Sequence, residues 1–465
     1  MQWGAVEMEL EGEQEELLPG YLDSFARLIG DKRTETTFRE TVRGIMGAGS
    51  LVCERIAASS PILSRAKEGG QRVSRMVRGE STKRSPIDAE SVTAVLRERG
   101  VAHLSETDAD EMWLIADGSD LRKPYAQEMP DLMQVRDLDG DPVAGYRTLN
   151  VLGITRSRRG VLYHRLFSSK EDDFVSESRE VQQMLQTVSA GLAELKKRMT
   201  VSWIMDSGFD DVAVWRTVWE QEEHIVCRVK HPERLVLYLD DTGQLVKGSI
   251  DRARERLTLL ATAQTEMVVR RGRQQRAKKQ RIPVEIRACP IQLTYETNVR
   301  RQGPGQTVCK ELWLVEIRLP GTALEPWLLV TDWSVEDGES AVRVFQMYRQ
   351  RWAVEDSFRF IKDTLGWEEV QLLDLTGIRT LLALGWVAAG FLYELGVTLE
   401  WAEVQLLARL GGWAQKTGNK PGKIVLTRGL RRLLDMLVTQ AFLDRYRAEH
   451  GELPPQIVSL LKSFR

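Results

Sequence analysis

The chain has 465 residues, of which 42% are hydrophobic and 28% charged, and its formal net charge at pH 7 is -2. This composition excludes a fibrous or wholly disordered protein, and the length allows about two to four domains with sizeable cores. Because the overall charge is nearly balanced, any surface that binds nucleic acid must come from local basic patches.

The cysteines and the N-terminus indicate the compartment. The four cysteines are far apart and have no Cys-x-x-Cys spacing: Cys53, Cys227, Cys289 and Cys309. This argues against a zinc site or a disulfide framework and is typical of a reducing compartment. The N-terminus is acidic and lacks the pattern of a signal peptide. Residues 381–399 are apolar, but Glu394 interrupts them and favours a core helix over a membrane span. We therefore expect a cytoplasmic protein without a membrane segment.

Residues 1–110 are predicted to form a helical N-terminal region. Residues 1–30 are acidic, whereas residues 32–84 are rich in lysine and arginine and are divided into short helices by glycine and Ser-Pro signals. The stretch SLVCERIAASSP is compatible with the start of a helix-turn-helix, and the basic excess favours contact with DNA. A solvated helical bundle with scattered charge is the alternative.

From residue 111 the sequence indicates strands and helices in alternation. EMWLIADGSDL is an apolar run that ends in an acid followed by glycine, and two β-type segments follow it, AGYRTLNVLGIT and RGVLYHRLFSS. A helical pattern covers about 176–198, and the strand VSWIMD, a helix at 210–222 and the strand HIVCRVK come next. This order predicts an α/β layer with a mixed sheet for residues 111–231.

The remainder of the chain is first strand-like and then helical. Residues 232–326 are mostly β-type, and residues 270–281 carry seven basic residues and no acid. Such a run is usually a solvated loop, but its charge also suits an arm that follows DNA phosphates. From residue 340 to the end the patterns are helical. No P-loop spacing is present, so we expect no nucleotide cofactor.

The stretch YRQRWAVEDSFRFIK, residues 348–362, is predicted to be one amphipathic helix with an unusual polar face. At 100° per residue, five polar side chains fall within an arc of about 80°. They are one acid surrounded by cationic and phenolic groups: Tyr348, Arg351, Glu355, Arg359 and Lys362. The adjacent arc is apolar and is expected to face a core. An ion pair between Glu355 and Arg359 explains two of these residues, but leaves the alignment of the other three unexplained.

Two aspartates are expected to join Glu355 in a metal site. Asp117 and Asp206 both end apolar strands, WLIAD and WIMD, and adjacent parallel strands would bring them together at the carboxyl edge of the sheet. Two aspartates and one glutamate are ligands suited to Mg²⁺ or Mn²⁺. Two such ions held about 4 Å apart catalyse phosphoryl transfer. The cations around Glu355 would then bind the phosphates that do not react.

The same acids also suit structural roles. A strand-terminal aspartate followed by glycine is most often a turn or cap residue. Nearby aspartates also compete as ligands, although none continues a strand end or shares the arc of the helix: Asp120, Asp210, Asp211 and Asp356.

The helix carries a Y-x2-R-x3-E-x6-K signature with every spacing intact, formed by Tyr348, Arg351, Glu355 and Lys362. In this signature the sequence resembles bacterial insertion-sequence transposases of the DDE type. The stretches DGSDLRKPYAQEMPDL (117–132) and MDSGFDD resemble the first and second aspartate motifs of that family. The resemblance covers about residues 110–395. It implies an RNase H-like catalytic domain interrupted by a strand-rich insertion. The predicted segments are a DNA-binding region 1–110, catalytic parts 111–231 and 327–395, an insertion 232–326 and a dimerisation region 396–465.

The same resemblance implies roles for individual residues. Asp117, Asp206 and Glu355 would bind two Mg²⁺ or Mn²⁺ ions. Tyr348, Arg351 and Lys362 would hold phosphates at the end of the element, and Arg359 would touch the same strand. Trp327 lies where relatives carry a tryptophan that stacks on a flipped base, with core packing as the alternative, and Trp352 is a second candidate for stacking.

The function expected from this resemblance is DNA transposition. The enzyme would cut an insertion sequence at its ends, form a hairpin, and join the element to target DNA, acting as a homodimer on two paired ends. Two rivals remain: an RNase H-like structure-specific nuclease, and a domesticated DNA-binding protein that no longer cuts. Inverted repeats flanking the gene would favour the transposase.

Overall fold

The computed structural model describes residues 17–63, 66–80, 86–137, 139–269, 278–297, 306–413 and 421–463. The chain divides into two compact units. A helical unit comprises Met1–Val95, Glu369–Leu372 and Thr376–Arg465, and a sheet unit comprises Leu96–Glu368 and Leu373–Leu375.

The N-terminal part of the helical unit consists of helices of 6 to 17 residues. They are α1 (Leu17–Ala26), α2 (Lys32–Ala48), α3 (Cys53–Ala58), α4 (Ala66–Arg78) and α5 (Ala89–Ser105), the last of which ends in the sheet unit. The boundaries of α2 follow from its sequence. The carboxylate of Asp31 accepts hydrogen bonds from the backbone N–H groups of Arg33 and Thr34, and Gly49 ends the helix with a φ of 59°.

The sheet unit begins with strands and helices in the predicted order. The strands are β1 (Glu111–Arg122), β2 (Met133–Arg136), β3 (Pro142–Ile154) and β4 (Arg159–Phe167), followed by α6 (Glu177–Gly191), β5 (Thr200–Met205), α7 (Val212–Trp219) and β6 (His224–Arg228). Strand β1 pairs antiparallel with β3 and parallel with β5, and β6 is parallel to β5. Three antiparallel strands beside two parallel ones form an RNase H-like sheet, so the predicted fold class is confirmed. Only the short β2 was not predicted.

Between residues 232 and 326 the chain adds strands to the same sheet. These are β7 (Leu235–Leu239), β8 (Leu245–Ser249), β9 (Thr258–Val269), β10 (Lys278–Thr297) and β11 (Gln306–Arg318), with the short helix α8 (Ile250–Ala253) before β9. Strand β12 (Trp327–Thr331) lies between β6 and β11 and pairs antiparallel with both. The inserted strands therefore extend the sheet that carries the aspartates. Most of the basic run 270–281 lies outside the described residues.

Alternation along β1 separates a core from a functional face. Met112, Leu114 and Ala116 are buried in a hydrophobic core that also contains Trp203 and Trp215. Because side chains alternate along a strand, Trp113, Ile115 and Asp117 point to the opposite face. Helix α10 contacts β1.

The stretch predicted as one helix is divided into three parts: α9 (Gly338–Arg349), α10 (Trp352–Arg359) and a π-helical turn, Phe360–Thr364. Between α9 and α10 the backbone N–H of Arg351 bonds to the carbonyl of Tyr348, and Val354 bonds to Arg351. These i to i-3 bonds tighten the helix, so the uniform 100° rotation assumed for residues 348–362 is wrong. The apolar arc is nevertheless buried, as expected: Met347, Val354, Phe358, Ile361 and Leu365.

The C-terminal helices are α11 (Leu375–Thr398), α12 (Trp401–Leu410), α13 (Lys423–His450) and α14 (Pro455–Ser463). Among the described residues, α11 is the one helix with the length and hydropathy of a membrane span, and 83% of its apolar window is buried within the protein. That degree of burial is expected for the core helix predicted from the sequence.

Candidate active site

Asp117 and Asp206 are neighbours on parallel strands. Strands β1 and β5 are in register so that Ile115 lies opposite Ile204. Two residues further along each strand, Asp117 therefore lies opposite Asp206, and adjacent strands are about 4.8 Å apart. The sequence interpretation was wrong in one detail. Asp117 does not end its strand, because the antiparallel pairing with β3 carries β1 on to Arg122.

The Asp206 carboxylate also has a structural task. Its Oδ1 accepts a hydrogen bond of 2.8 Å from the backbone N–H of Gly208 and caps the short turn that follows β5. A Cβ atom at residue 208 would lie 3.0 Å from this oxygen. Glycine therefore permits the close approach. The cap expected of such an aspartate and a role in binding are compatible, because the cap uses one carboxylate oxygen.

Asp117 is the most strongly perturbed acid of the site. The residue keeps some exposed surface, yet its carboxyl group is enclosed by protein. Burial, followed by the nearby carboxylates of Asp206 and Glu355, raises its pKa to about 7, whereas Arg351 and the backbone N–H of Gly118 act in the opposite direction. The three predicted carboxylates and one guanidinium thus influence each other at one place.

Glu355 lies in the first turn of α10 and is paired with a cation. Its side chain is 44% exposed, and its Oε1 accepts a short hydrogen bond from Nη2 of Arg351, which is 16% exposed. The alternative pairing of Glu355 with Arg359 is not observed. Arg359 is exposed and forms no ion pair within the described residues.

Tyr348 lies beside this ion pair. Its hydroxyl is buried and has no hydrogen-bond partner within the described residues. Burial raises the pKa of Tyr348 to about 12, against the opposing effect of Arg351 and Arg228. A buried hydroxyl without a partner is uncommon, and here two cations lie near it.

Lys362, unlike Arg359, is paired with an acid. Its Nζ lies 3.2 Å from Oε1 of Glu368, and the same oxygen accepts a hydrogen bond of 2.6 Å from Arg122. Glu368 therefore holds two cations, one from β1 and one from the π-helical turn. The five polar residues of the predicted arc consequently differ in burial and partners and do not form one uniform face.

The two tryptophans differ in accessibility. Trp327, at the start of β12, is 9% exposed and packs against Phe345, Tyr348 and Trp352. Trp352 is 38% exposed. In this conformation Trp352 presents a ring to solvent, while Trp327 has the packing expected of a core residue.

The residues present fit a divalent cation by their chemistry. Carboxylate oxygens are the preferred ligands of Mg²⁺ and Mn²⁺, and burial together with the nearby carboxylates of Asp206 and Glu355 raises the pKa of Asp117. Among the described residues, no three His, Cys, Asp or Glu side chains are arranged tightly enough to hold an ion. The Glu355 carboxylate is turned to Arg351, and a change of its side-chain rotamer would be needed.

The competing aspartates have structural partners. Asp210 is buried and accepts bonds from the backbone N–H groups of Lys230 and His231 and from Arg234. Asp211 caps α7. The other two form ion pairs at 3.8 Å, Asp120 with Arg147 and Asp356 with Arg159.

Two neighbours of the site were not predicted from the sequence. Arg228 ends β6, the next parallel strand beyond Asp206, and lies near Tyr348. The strand-end argument used for the aspartates applies equally to it. Glu368 gave no sequence signal, because its role depends on the turn that brings it to Arg122.

Part of the chain is similar to a known protein family. Residues 176–389 match the family model of the transposase DDE domain. The matched segment contains Asp206 and Glu355, whereas Asp117 precedes it. No curated protein matches the chain.

Among solved structures, the chain resembles a piggyBac transposase determined by cryo-EM in a synaptic complex with hairpin DNA. The sequence identity is 12% and the TM-score 0.39, over 75% of this chain and 56% of that chain. The comparison that bears on the class of protein is the match of residues 176–389, a little under half of the chain, to the transposase DDE domain.

Proposed function

We propose that the protein is a DNA transposase of the DDE type. The observation that carries the proposal is the register that sets Asp117 opposite Asp206, together with the effect of Glu355 on the Asp117 carboxyl. The match of residues 176–389 to a transposase DDE domain supports it.

Asp117, Asp206 and Glu355 would hold Mg²⁺ or Mn²⁺. When bound, two such ions activate a water or a 3′-hydroxyl and stabilise the leaving oxygen at phosphorus. The protein's own contribution is positioning. Arg351, Lys362 and Arg359 supply positive charge for backbone phosphates, and the unpartnered hydroxyl of Tyr348 is a donor for a phosphate oxygen.

The proposed reaction cuts an insertion sequence at its ends and joins it to target DNA, through a hairpin in which the freed 3′-hydroxyl attacks the opposite strand. We include in the proposal a homodimer on paired ends, DNA binding by residues 1–110 and dimer contacts by residues 396–465. Trp352, with its exposed ring, is the better placed of the two tryptophans to stack on an unpaired base.

The test uses purified protein, Mg²⁺ and the DNA that flanks its gene. We expect cleavage at inverted repeats, and we expect Glu355→Gln to bind this DNA but not to cut it. Glu339→Gln is the matched control, because Glu339 is an exposed glutamate in the first turn of the neighbouring helix α9. Normal cleavage by Glu355→Gln would refute the assignment. Cleavage without strand transfer would favour a nuclease, and binding without cleavage by the wild type would favour a domesticated DNA-binding protein.

A further inference from the structure

Arg351 is a cation enclosed by acids. Its guanidinium contacts Glu355 and lies close enough to Asp117 and Tyr348 to affect their ionisation. Burial lowers the pKa of Arg351, but Tyr348, Glu355 and Asp117 together raise it above its ordinary value. The site therefore contains its own counter-ion, which balances part of the crowded negative charge.

This counter-ion competes with a metal for the same ligand. One carboxylate oxygen of Glu355 is held by Arg351, and no described cluster of three acids is arranged to bind an ion. Glu355 is 44% exposed, so its side chain has room to turn. Arg351 is mostly buried and has less freedom. We therefore expect the Glu355 side chain, rather than Arg351, to change its rotamer when metal binds. The ion pair with Arg351 restrains it before that change.

A phosphodiester is suited to replace Glu355 at Arg351. A guanidinium binds phosphate oxygens through two parallel N–H bonds, and a phosphodiester carries the same single negative charge as the carboxylate that it would displace. The buried hydroxyl of Tyr348 lies beside Arg351 without a hydrogen-bond partner within the described residues. It would supply a further donor to the same phosphate.

We propose that Arg351 is a positioning residue that couples DNA binding to metal binding. In the free protein it holds Glu355 by an ion pair. A backbone phosphate that takes over the guanidinium releases Glu355 toward Asp117 and Asp206. This inference rests on the proposed function and deepens it, because it states how the bound DNA end completes the metal site.

The coupling must be reciprocal. If DNA raises the affinity for metal by some factor, metal raises the affinity for DNA by the same factor. Coupling through one exchanged ion pair is expected to be about tenfold, within the usual range of such effects. The consequence is that the site would reach its full affinity for metal only when a DNA phosphate is bound at Arg351.

The experiment measures Mn²⁺ binding by electron paramagnetic resonance, with and without a saturating duplex. The duplex is a pre-cleaved element end whose 3′-terminus is a dideoxynucleotide, so no hydroxyl can react. The proteins are the wild type, Arg351→Gln and the control Arg349→Gln. Arg349 is an exposed arginine near the end of α9 that stacks on Phe345, and its removal changes the charge equally.

For the wild type and Arg349→Gln we expect DNA to raise Mn²⁺ affinity roughly tenfold. Arg351→Gln without DNA should bind Mn²⁺ about as tightly as the DNA-bound wild type, and DNA should add nothing. If Arg351→Gln keeps the wild-type increase, or if the wild type shows none, the inference is overturned.

Glu355→Gln separates this failure from failure of the proposed function. If Glu355→Gln binds Mn²⁺ as the wild type does, Glu355 is not a ligand and the proposed metal site fails. If Glu355→Gln loses Mn²⁺ affinity while Arg351→Gln behaves as the wild type, the site stands and only the coupling is refuted. Circular dichroism and thermal unfolding establish that each variant is folded.

Discussion

His164 donates a hydrogen bond from Nδ1 to the side-chain oxygen of Asn150 over 2.8 Å, and Asn150 is the cross-strand partner of Asp117. The chain of bonds continues from the amide of Asn150 to Thr148 and from the Thr148 hydroxyl to the carbonyl of Ser119. A buried polar row thus ties β4 and β3 to the part of β1 that follows Asp117.

We predict that this row makes stability depend on pH. Burial lowers the pKa of His164 to about 3, below its unfolded value of about 6.5. Between these two pH values the unfolded chain therefore binds a proton at His164 that the folded protein does not bind. The contribution of His164 to the free energy of unfolding is constant above about pH 6.5, and stability falls as the pH decreases toward 3. The slope from this group approaches about 1.4 kcal/mol per pH unit.

Urea unfolding at pH 7, 6 and 5 measures this effect. His164→Gln should reduce the slope of stability against pH by about one proton. An unaltered slope in His164→Gln would show that His164 takes up a proton equally in the folded and unfolded protein, and would contradict the prediction.

A second prediction concerns the stability cost of the crowded carboxylates. The pKa of Asp117 is raised to about 7, above its unfolded value, so its deprotonated form destabilises the folded protein increasingly from about pH 4 to 7 and fully above that. In the presence of a chelator at pH 8, Asp117→Asn should therefore stabilise the protein by on the order of 2–4 kcal/mol. The gain should be smaller at pH 5.

The measurement is again urea unfolding, with Asp108→Asn as the control because Asp108 is exposed. Mg²⁺ should stabilise the wild type but not Asp117→Asn. Equal stability of Asp117→Asn and the wild type at pH 8 would mean that neither burial nor the neighbouring carboxylates raise the pKa of Asp117 in the folded protein.

The fold was predictable because its signals are local. The order of strands and helices on both sides of Asp206 follows from three local patterns. These are apolar runs typical of strands, helical periodicity, and an aspartate close to a glycine at the end of an apolar run. The active site was predictable only in part. The pairing of Glu355 with Arg351 rather than with Arg359 was not predictable, because both arginines lie four residues from Glu355 and the helical spacing suits either pair. The burial of Trp327 depends on its ring contacts with Tyr348 and Trp352, which the spacing of these residues along the chain does not indicate.

The glycine after each aspartate provides a third prediction. Gly208→Ala places a Cβ 3.0 Å from Oδ1 of Asp206, so the carboxylate must shift. We expect a loss of Mg²⁺-dependent cleavage of about tenfold or more, since small displacements of reacting groups are costly, with the fold retained. At Gly118 the nearest atom is 3.6 Å away, an ordinary contact. Gly118→Ala should cleave nearly normally, and equal losses in both variants would contradict a specific role for Asp206.

A fourth prediction separates the two tryptophans. Trp327→Ala should lower the free energy of unfolding by about 3–5 kcal/mol, because it opens a cavity among aromatic side chains. Trp352→Ala should change stability little but weaken binding to a DNA end with an unpaired base by about 1–3 kcal/mol. Fluorescence anisotropy and urea unfolding measure the two effects. The reverse pattern would assign base stacking to Trp327.

The central claim is that Asp117, Asp206 and Glu355 together hold divalent metal. Its most direct test is anomalous diffraction from crystals of the protein grown with Mn²⁺ and a dideoxy-terminated DNA end. We expect anomalous density bridging the three carboxylates, with Arg351 bound to a DNA phosphate. Density held by other acids, or a site without Mn²⁺ while Glu355 remains paired with Arg351, would contradict it.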